Sequence, residues 1–382
     1  MSTLLRRSLL PLAFGALLAG AAPARAQFHG APEQPDTPLD AATKTAVLDR
    51  VVAGLDTAYV DPALGQKIIR SLRDRQKAHA YDAITSSKAY AESLTVHLRA
   101  VSHDRHLRVQ YRAEPFTDSE FAEPTAEEMA RQRREIRQLN YGVDAVRRLP
   151  GNVGYLDLRM FVSPHDGSGD VLVAAMNFLA GTDALIVDVR RNGGGDPETV
   201  QLLCSYLFSG EQPVHLNDLY FRPRGTTTQF WTLPYVPGAR YAGKPVYVLT
   251  SHSTGSGAEE FSYDVQTQKR ATLVGETTAG AAHPGEFLRV GEHFAAFVAT
   301  GRAINPITHD DWEGKGVKPD VATSADQALR TAHKAALQAL LAKADEDGEK
   351  QRLTRALDAA DVMPDPFNDP RPGMPAAAPA AH

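Results

Sequence analysis

Apolar residues follow two different rhythms along the chain. Between Leu39 and Ala100 the spacing is helical: Val47, Leu48, Val51, Val52, Leu55 and Tyr59 share a face before Asp61-Pro62 interrupts. A second helical run covers Ile68 to Gln76, and a third covers Lys88 to Val101 with Tyr90, Leu94, Val96 and Leu98. Leu107 to Tyr111 then alternates like a strand, so residues 39–111 predict a small helical N-terminal domain ending in a strand. Thr125 to Leu139 is strongly charged yet helical in spacing, which predicts a solvated connector within 112–150.

From Gly151 the grammar becomes α/β. Val153–Leu158 and Ala184–Val189 read as strands around a helix at Asp170–Leu179; Arg190 to Asp196 is a loop, and Pro197 opens a helix that runs to Phe208. Lys244–Leu249, Ser256–Gln268 and Ala271–Gly275 repeat strand, helix, strand, and Ser324–Ala342 is a further helix. Such alternation predicts parallel pairing with right-handed crossovers over a core of 151–342. Residues 343–382 are expected to hold the end of that helix and a disordered Ala/Pro-rich tail.

Composition adds exclusions. Lys plus Arg is 41 against Asp plus Glu 46 in 382 residues, and no basic block suggests a nucleic-acid partner. Residues 1–26 have the form of an export signal: Arg6 and Arg7, an apolar run from Ser8 to Gly20, and Ala24-Arg25-Ala26 as a cleavage pattern. The paired arginines also permit the twin-arginine route. A mature chain from Gln27, a Pro-rich spacer to Pro38 and a periplasmic or secreted location follow. No later segment approaches the roughly 20 apolar residues of a membrane span. Cys204 is the single cysteine and lies in an apolar helical pattern, as a core residue would.

The chemistry concentrates at Leu249-Thr250-Ser251-His252-Ser253-Thr254-Gly255-Ser256-Gly257-Ala258-Glu259, a strand, a tight turn and a helix start. A serine there lies beside unbonded backbone N–H groups and a field that favours negative charge, the conditions an acyl-transfer oxyanion needs. A helix cap at Ser256 or Thr254 is the structural alternative. Gly193-Gly194-Gly195 permits close approach of backbone to a ligand, or simply a tight turn. The 13 histidines show no His-Glu-x-x-His or Cys/His spacing, so no metal site and no cofactor is expected.

Four motifs occur in order: Asp188-Val189-Arg190-Arg191-Asn192-Gly193-Gly194-Gly195, the Ser251 to Glu259 turn, Val274-Gly275-Glu276-Thr277-Thr278-Ala279-Gly280, and Glu313-Gly314-Lys315-Gly316-Val317-Lys318-Pro319-Asp320. Together they resemble the tail-specific, or C-terminal-processing, serine peptidase family, in the branch of interphotoreceptor retinoid-binding protein and the tricorn core protease. The resemblance implies a crotonase-like β-α spiral core preceded by a helical domain. Many members carry a PDZ module between the two. Residues 112–150 are too few for one, since a folded domain needs about 50.

By that resemblance Ser256 is the nucleophile, and Gly257 with Gly193 or Gly194 supplies the oxyanion hole. In lysine-dyad members the base comes from the loop that here reads Thr278-Ala279-Gly280-Ala281-Ala282-His283, and Ala281 stands where the lysine would be. A methyl group takes no proton. The tricorn-like branch uses a histidine ahead of the core instead, matched by His106, with His103 and His283 as rivals and Glu313 as its acid partner. Arg105 occupies the position of the serine that links the two in the tricorn pattern. Glu276 and Asp320 read as structural carboxylates, and Trp312 either walls the site or fills the core. The implied activity is a serine endopeptidase acting on a peptide or unfolded protein; the alternative is a non-catalytic protein using the same cleft for an apolar ligand or a protein partner.

Overall fold

The computed structural model describes residues 35–104, 106–122, 124–362, 365 and 367. The leader, Arg105 and most of the Ala/Pro-rich end lie outside them. The first three helical runs fold as α1 (Ala41–Ala58), α2 (Pro62–Lys77) and α3 (Ser87–Ser102). Each begins at a side-chain cap: Asp40, Asp61 and Ser86 accept the N–H of Thr43, Leu64 and Ala89. Strand β1 (Arg108–Tyr111) follows, and the charged connector forms α4 (Ala126–Gln138). No PDZ module stands between the helical region and the core, since β2 (Val143–Leu149) already belongs to the main sheet.

That sheet also takes β3 (Val153–Leu158), β4 (Ala184–Asp188), β7 (Val246–Thr250), β8 (Thr272–Gly275) and β12 (Val321–Ala322), in the order β12-β8-β7-β4-β3-β2. All its pairings are parallel except β2 with β3. The strand period of two sorts its side chains between layers. Leu185, Val187 and Val248 pack with α5 (Ser168–Leu179), α6 (Pro197–Leu207) and α7 (Gly257–Thr267). Ala184, Ile186 and Leu249 pack on the opposite side with α8 (Ala325–Leu341) and α9 (Asp347–Ala359). The result is the α/β core expected, with α9 added where only a helix end and a tail were anticipated.

Two small antiparallel sheets complete the molecule: β5 (His215–Phe221) with β6 (Thr226–Trp231) and β11 (Gly301–Ile304), and β1 with the hairpin β9 (Gly285–Arg289) and β10 (Phe294–Ala299). The hairpin matters for the site. Arg108 to Tyr111 pair antiparallel with Phe297 to Phe294, and Val290, Phe294, Ala296 and Val298 share one buried cluster with Leu48, Leu55, Leu94 and Leu107. The helical region therefore closes its core with a hairpin from the later half of the chain. Among the described residues no helix is long and apolar enough to cross a membrane.

Candidate active site

The turn between β7 and α7 is held by hydroxyl groups. Ser251 N–H donates to Thr254 Oγ1 at 3.0 Å, the Thr254 hydroxyl to the Val189 carbonyl at 2.9 Å, and the Ser251 hydroxyl to the Arg190 carbonyl at 2.5 Å. Ser251 and Thr254 are thus spent on the turn. Ser256 follows with φ 51° and ψ −125°, a conformation that costs a non-glycine residue about 1–3 kcal/mol. Its hydroxyl faces the Glu259 N–H in a capping-box arrangement but makes no full hydrogen bond to it, and that N–H donates to the Ser256 carbonyl at 2.8 Å. Ser256 is exposed while Gly257, Ala258 and Glu259 behind it are buried. A strained turn that lifts a serine from a strand end onto a helix N-terminus is how a nucleophile is presented.

The glycine loop lies directly against this turn. Gly255 N–H donates to the Asn192 carbonyl at 3.0 Å, and a Cβ on Gly194, where φ is 110°, would meet the Ser256 Cβ at 2.6 Å. Gly194 is therefore required sterically. Its N–H is donated to Asn192 Oδ1 at 2.8 Å. The N–H groups of Gly193 and Gly257 have no acceptor in the structure and remain available.

Behind the serine, buried Glu259 accepts Ser256 N–H at 2.9 Å, Gly280 N–H at 2.6 Å, Ala281 N–H at 2.8 Å and the Thr278 hydroxyl at 2.5 Å. Burial raises its carboxyl above the ordinary range against the pull of these donors. The same loop is gripped from its other end by Glu313, whose Oε2 accepts Ala282 N–H at 2.7 Å and His283 N–H at 3.0 Å. One loop thus links the serine turn to Glu313.

Glu313 Oε2 lies 3.7 Å from His106 Nδ1, and His106 is fixed from below by Asp104, whose Oδ1 accepts its backbone N–H at 2.8 Å. The imidazole packs against the Phe297 ring of β10 at 5.6 Å between centroids. No hydrogen bond joins His106 to the Ser256 hydroxyl. His283 stands in the same group, with Nε2 3.2 Å from Asp311 Oδ2 and Nδ1 3.9 Å from both Asp104 Oδ2 and Glu313 Oε2. Burial disfavours its charged form, but the three carboxylates outweigh burial and push it up to about 10. His283 is thus an imidazolium at neutral pH. His103 is the left-handed C-cap of α3, its N–H donated to the Arg99 carbonyl, and its ring is exposed.

Trp312 is buried in the core beside Tyr263, and Cys204 is buried with its thiol raised by that burial. Glu276 accepts Ala325 N–H at 3.1 Å, and Asp320 accepts Leu273 N–H at 2.8 Å. Asp104 and Asp311 were not anticipated; the acidic side chains beside His106 and Glu313 in sequence were the available signal.

Helix α7 also buries Glu260 and Asp264, one turn apart, and neither Asp264 oxygen has a partner. Burial raises Glu260 from 4.5 to about 7, and burial and the Glu260 charge raise Asp264 well above its ordinary value. A carboxyl raised in the folded state stabilises fully below its unfolded value and loses that contribution as pH rises through the folded one. Between pH 5 and 8 the denaturant midpoint is therefore expected to fall, and Glu260→Gln should flatten the fall by about 3 kcal/mol. Identical pH slopes in the two proteins would remove Glu260 as a source.

Residues 152–323 match peptidase family S41, and residues 41–146 match the N-terminal domain of the S41 peptidase in eukaryotic IRBP. These matches define a serine-type peptidase with a helical region ahead of its core. The chain belongs to peptidase family S41, the family that its four motifs resemble. Among solved structures it is similar to mature CPAF, at 14% identity and a TM-score of 0.53, covering 83% of this chain and 99% of that one. A protein of Parabacteroides merdae assigned as a peptidase aligns at 17% identity with a TM-score of 0.54, covering 79% and 98%. At these identities the likeness speaks to the fold.

Proposed function

We propose that the protein is an exported serine endopeptidase in which Ser256 attacks a peptide carbonyl, His106 takes the serine proton, and Glu313 orients the imidazole. The carbonyl oxygen, negative in the tetrahedral intermediate, is received by the N–H groups of Gly257 and Gly193. His106 then passes its proton to the leaving amine, and water releases the acyl group from Ser256. The leader-like residues 1–26 support export to the periplasm or beyond. The observation that carries the reading is the strained, exposed Ser256 with the free Gly257 N–H beside it, on a turn linked by one loop to the His106–Glu313 pair.

His283 is set aside as the base because a base must be free of a proton. His283 is held as a cation by Asp104, Asp311 and Glu313, and it serves as a charged strut for them. Contact between His106 and Ser256 requires tightening around substrate, which catalytic hydrogen bonds commonly undergo. Residues 39–111, 112–150 and 151–342 remain the proposed domain, connector and core, with β1 and β10 tying the first to the last.

A fluorophosphonate probe tests the nucleophile. Mass spectrometry is expected to place the adduct on Ser256, and Ser256→Ala should carry none. A folded protein that never labels would replace this reading with the non-catalytic one, a cleft that binds an apolar ligand or a partner.

A further inference from the structure

We infer that Asp104, His106, His283 and Glu313 form a binding site for a zinc-type divalent cation. The four come from three segments far apart in sequence, so no short spacing announces them. One atom each of Asp104, His283 and Glu313 falls within a span of 4.8 Å. His106 joins them, its Nδ1 3.7 Å from Glu313 Oε2 and 4.0 Å from Asp104 Oδ1. His283 Nδ1 stands 3.9 Å from each carboxylate. Metal arms of about 2.0–2.1 Å set tetrahedral ligands about 3.3 Å apart. The four nitrogen–oxygen separations of 3.7–4.0 Å must shorten by about 0.4–0.7 Å, and the 4.8 Å span of the three by up to about 1.5 Å, which side-chain rotation of Asp104 and Glu313 would supply.

Two further observations point to a ligand. The Nδ1 atoms of both His106 and His283 are buried and have no hydrogen-bond partner, which a folded interior rarely tolerates for two groups facing the same carboxylates. The outer nitrogen of His283 faces Asp311 Oδ2 at 3.2 Å, the carboxylate–imidazole support that ligating histidines almost always have. Glu313 is likewise held by the N–H groups of Ala282 and His283, and Asp104 by those of His106 and Leu107. Mixed imidazole and carboxylate donors suit zinc better than calcium or magnesium, which favour all-oxygen shells.

An ion here replaces the proton that the carboxylates hold on His283, releasing it to solvent, and takes Nδ1 of His106 and the Glu313 oxygen that faces it, so an occupied site and the use of His106 as base exclude each other. That consequence rests on the mechanism proposed above; the binding does not.

The test is competition for Zn2+ between the mature chain and a chromophoric chelator, with thermal melts of the metal-free proteins as a fold control. A single ion per chain is expected, with affinity lowered at least about tenfold in His283→Gln and about 10–100-fold in Asp311→Asn. The proposal is overturned if the wild type yields all its zinc to the chelator, or if both folded variants hold zinc as tightly as the wild type. Tight zinc binding that both variants weaken, in a metal-free protein that never labels at Ser256, would support the cation site while sinking the proposed mechanism.

Discussion

Replacing His106 by alanine is expected to lower kcat on a quenched peptide substrate by about 10⁴- to 10⁶-fold, the range found when one member of a serine–histidine pair is removed. The single variant Ser256→Ala should lose as much, and the double variant no more than either alone, because the two act in one proton transfer. Fluorophosphonate labelling should slow in parallel in His106→Ala, since the probe needs the same activated serine. The carboxylate behind the histidine should matter less: Glu313→Gln still accepts the N–H groups of Ala282 and His283 through its remaining oxygen, so geometry is largely kept while charge is lost. Ala281→Lys supplies the counter-experiment. Its backbone N–H already lies on Glu259, at the place where the dyad members carry their base. If that variant gained activity while His106→Ala retained it, the base would lie in the 278–283 loop and the assignment to His106 would fall.

Much of this architecture is legible in the amino-acid sequence, and the reasons are local. The helices α1 to α3 combine apolar spacing with acidic or hydroxyl caps, α2 adds a first-turn proline, and β3, β4 and β7 are short apolar runs bounded by turn residues. Three features were not readable, for a shared reason. The β9–β10 hairpin is half-buried on its first strand and pairs with β1, nearly the whole core away in sequence, so no local alternation marks it. Asp104 and Asp311 are ordinary acidic residues until distant segments bring them around His283. The donation of Gly194 N–H to Asn192 is a single hydrogen-bond choice within a glycine run, and composition says nothing about it. Legibility ended where a role depended on burial or on which distant group arrived.

The second large effect is expected at Glu259, a residue that touches no substrate in the proposed mechanism. Each of its carboxylate oxygens receives two donors: Thr278 hydroxyl and Gly280 N–H on one, Ser256 and Ala281 N–H on the other. Glu259→Gln keeps the shape but turns one oxygen into an NH2 that must face two donors. A buried donor left unmet costs about 1–3 kcal/mol, so two of them should lower stability by about 2–6 kcal/mol, read as a denaturant midpoint. Part of this is offset, because the neutral amide escapes the burial that raises the native carboxyl. The kinetic effect should exceed the stability effect wherever the variant remains folded, since freeing Ser256 N–H lets the strained turn relax and moves the hydroxyl away from the Gly257 N–H. Glu259→Asp is the informative companion: it restores the charge but withdraws the oxygens by one methylene, and should recover stability more than kcat. A Glu259→Gln protein with wild-type midpoint and wild-type kcat would show that the strained serine is held by the turn alone.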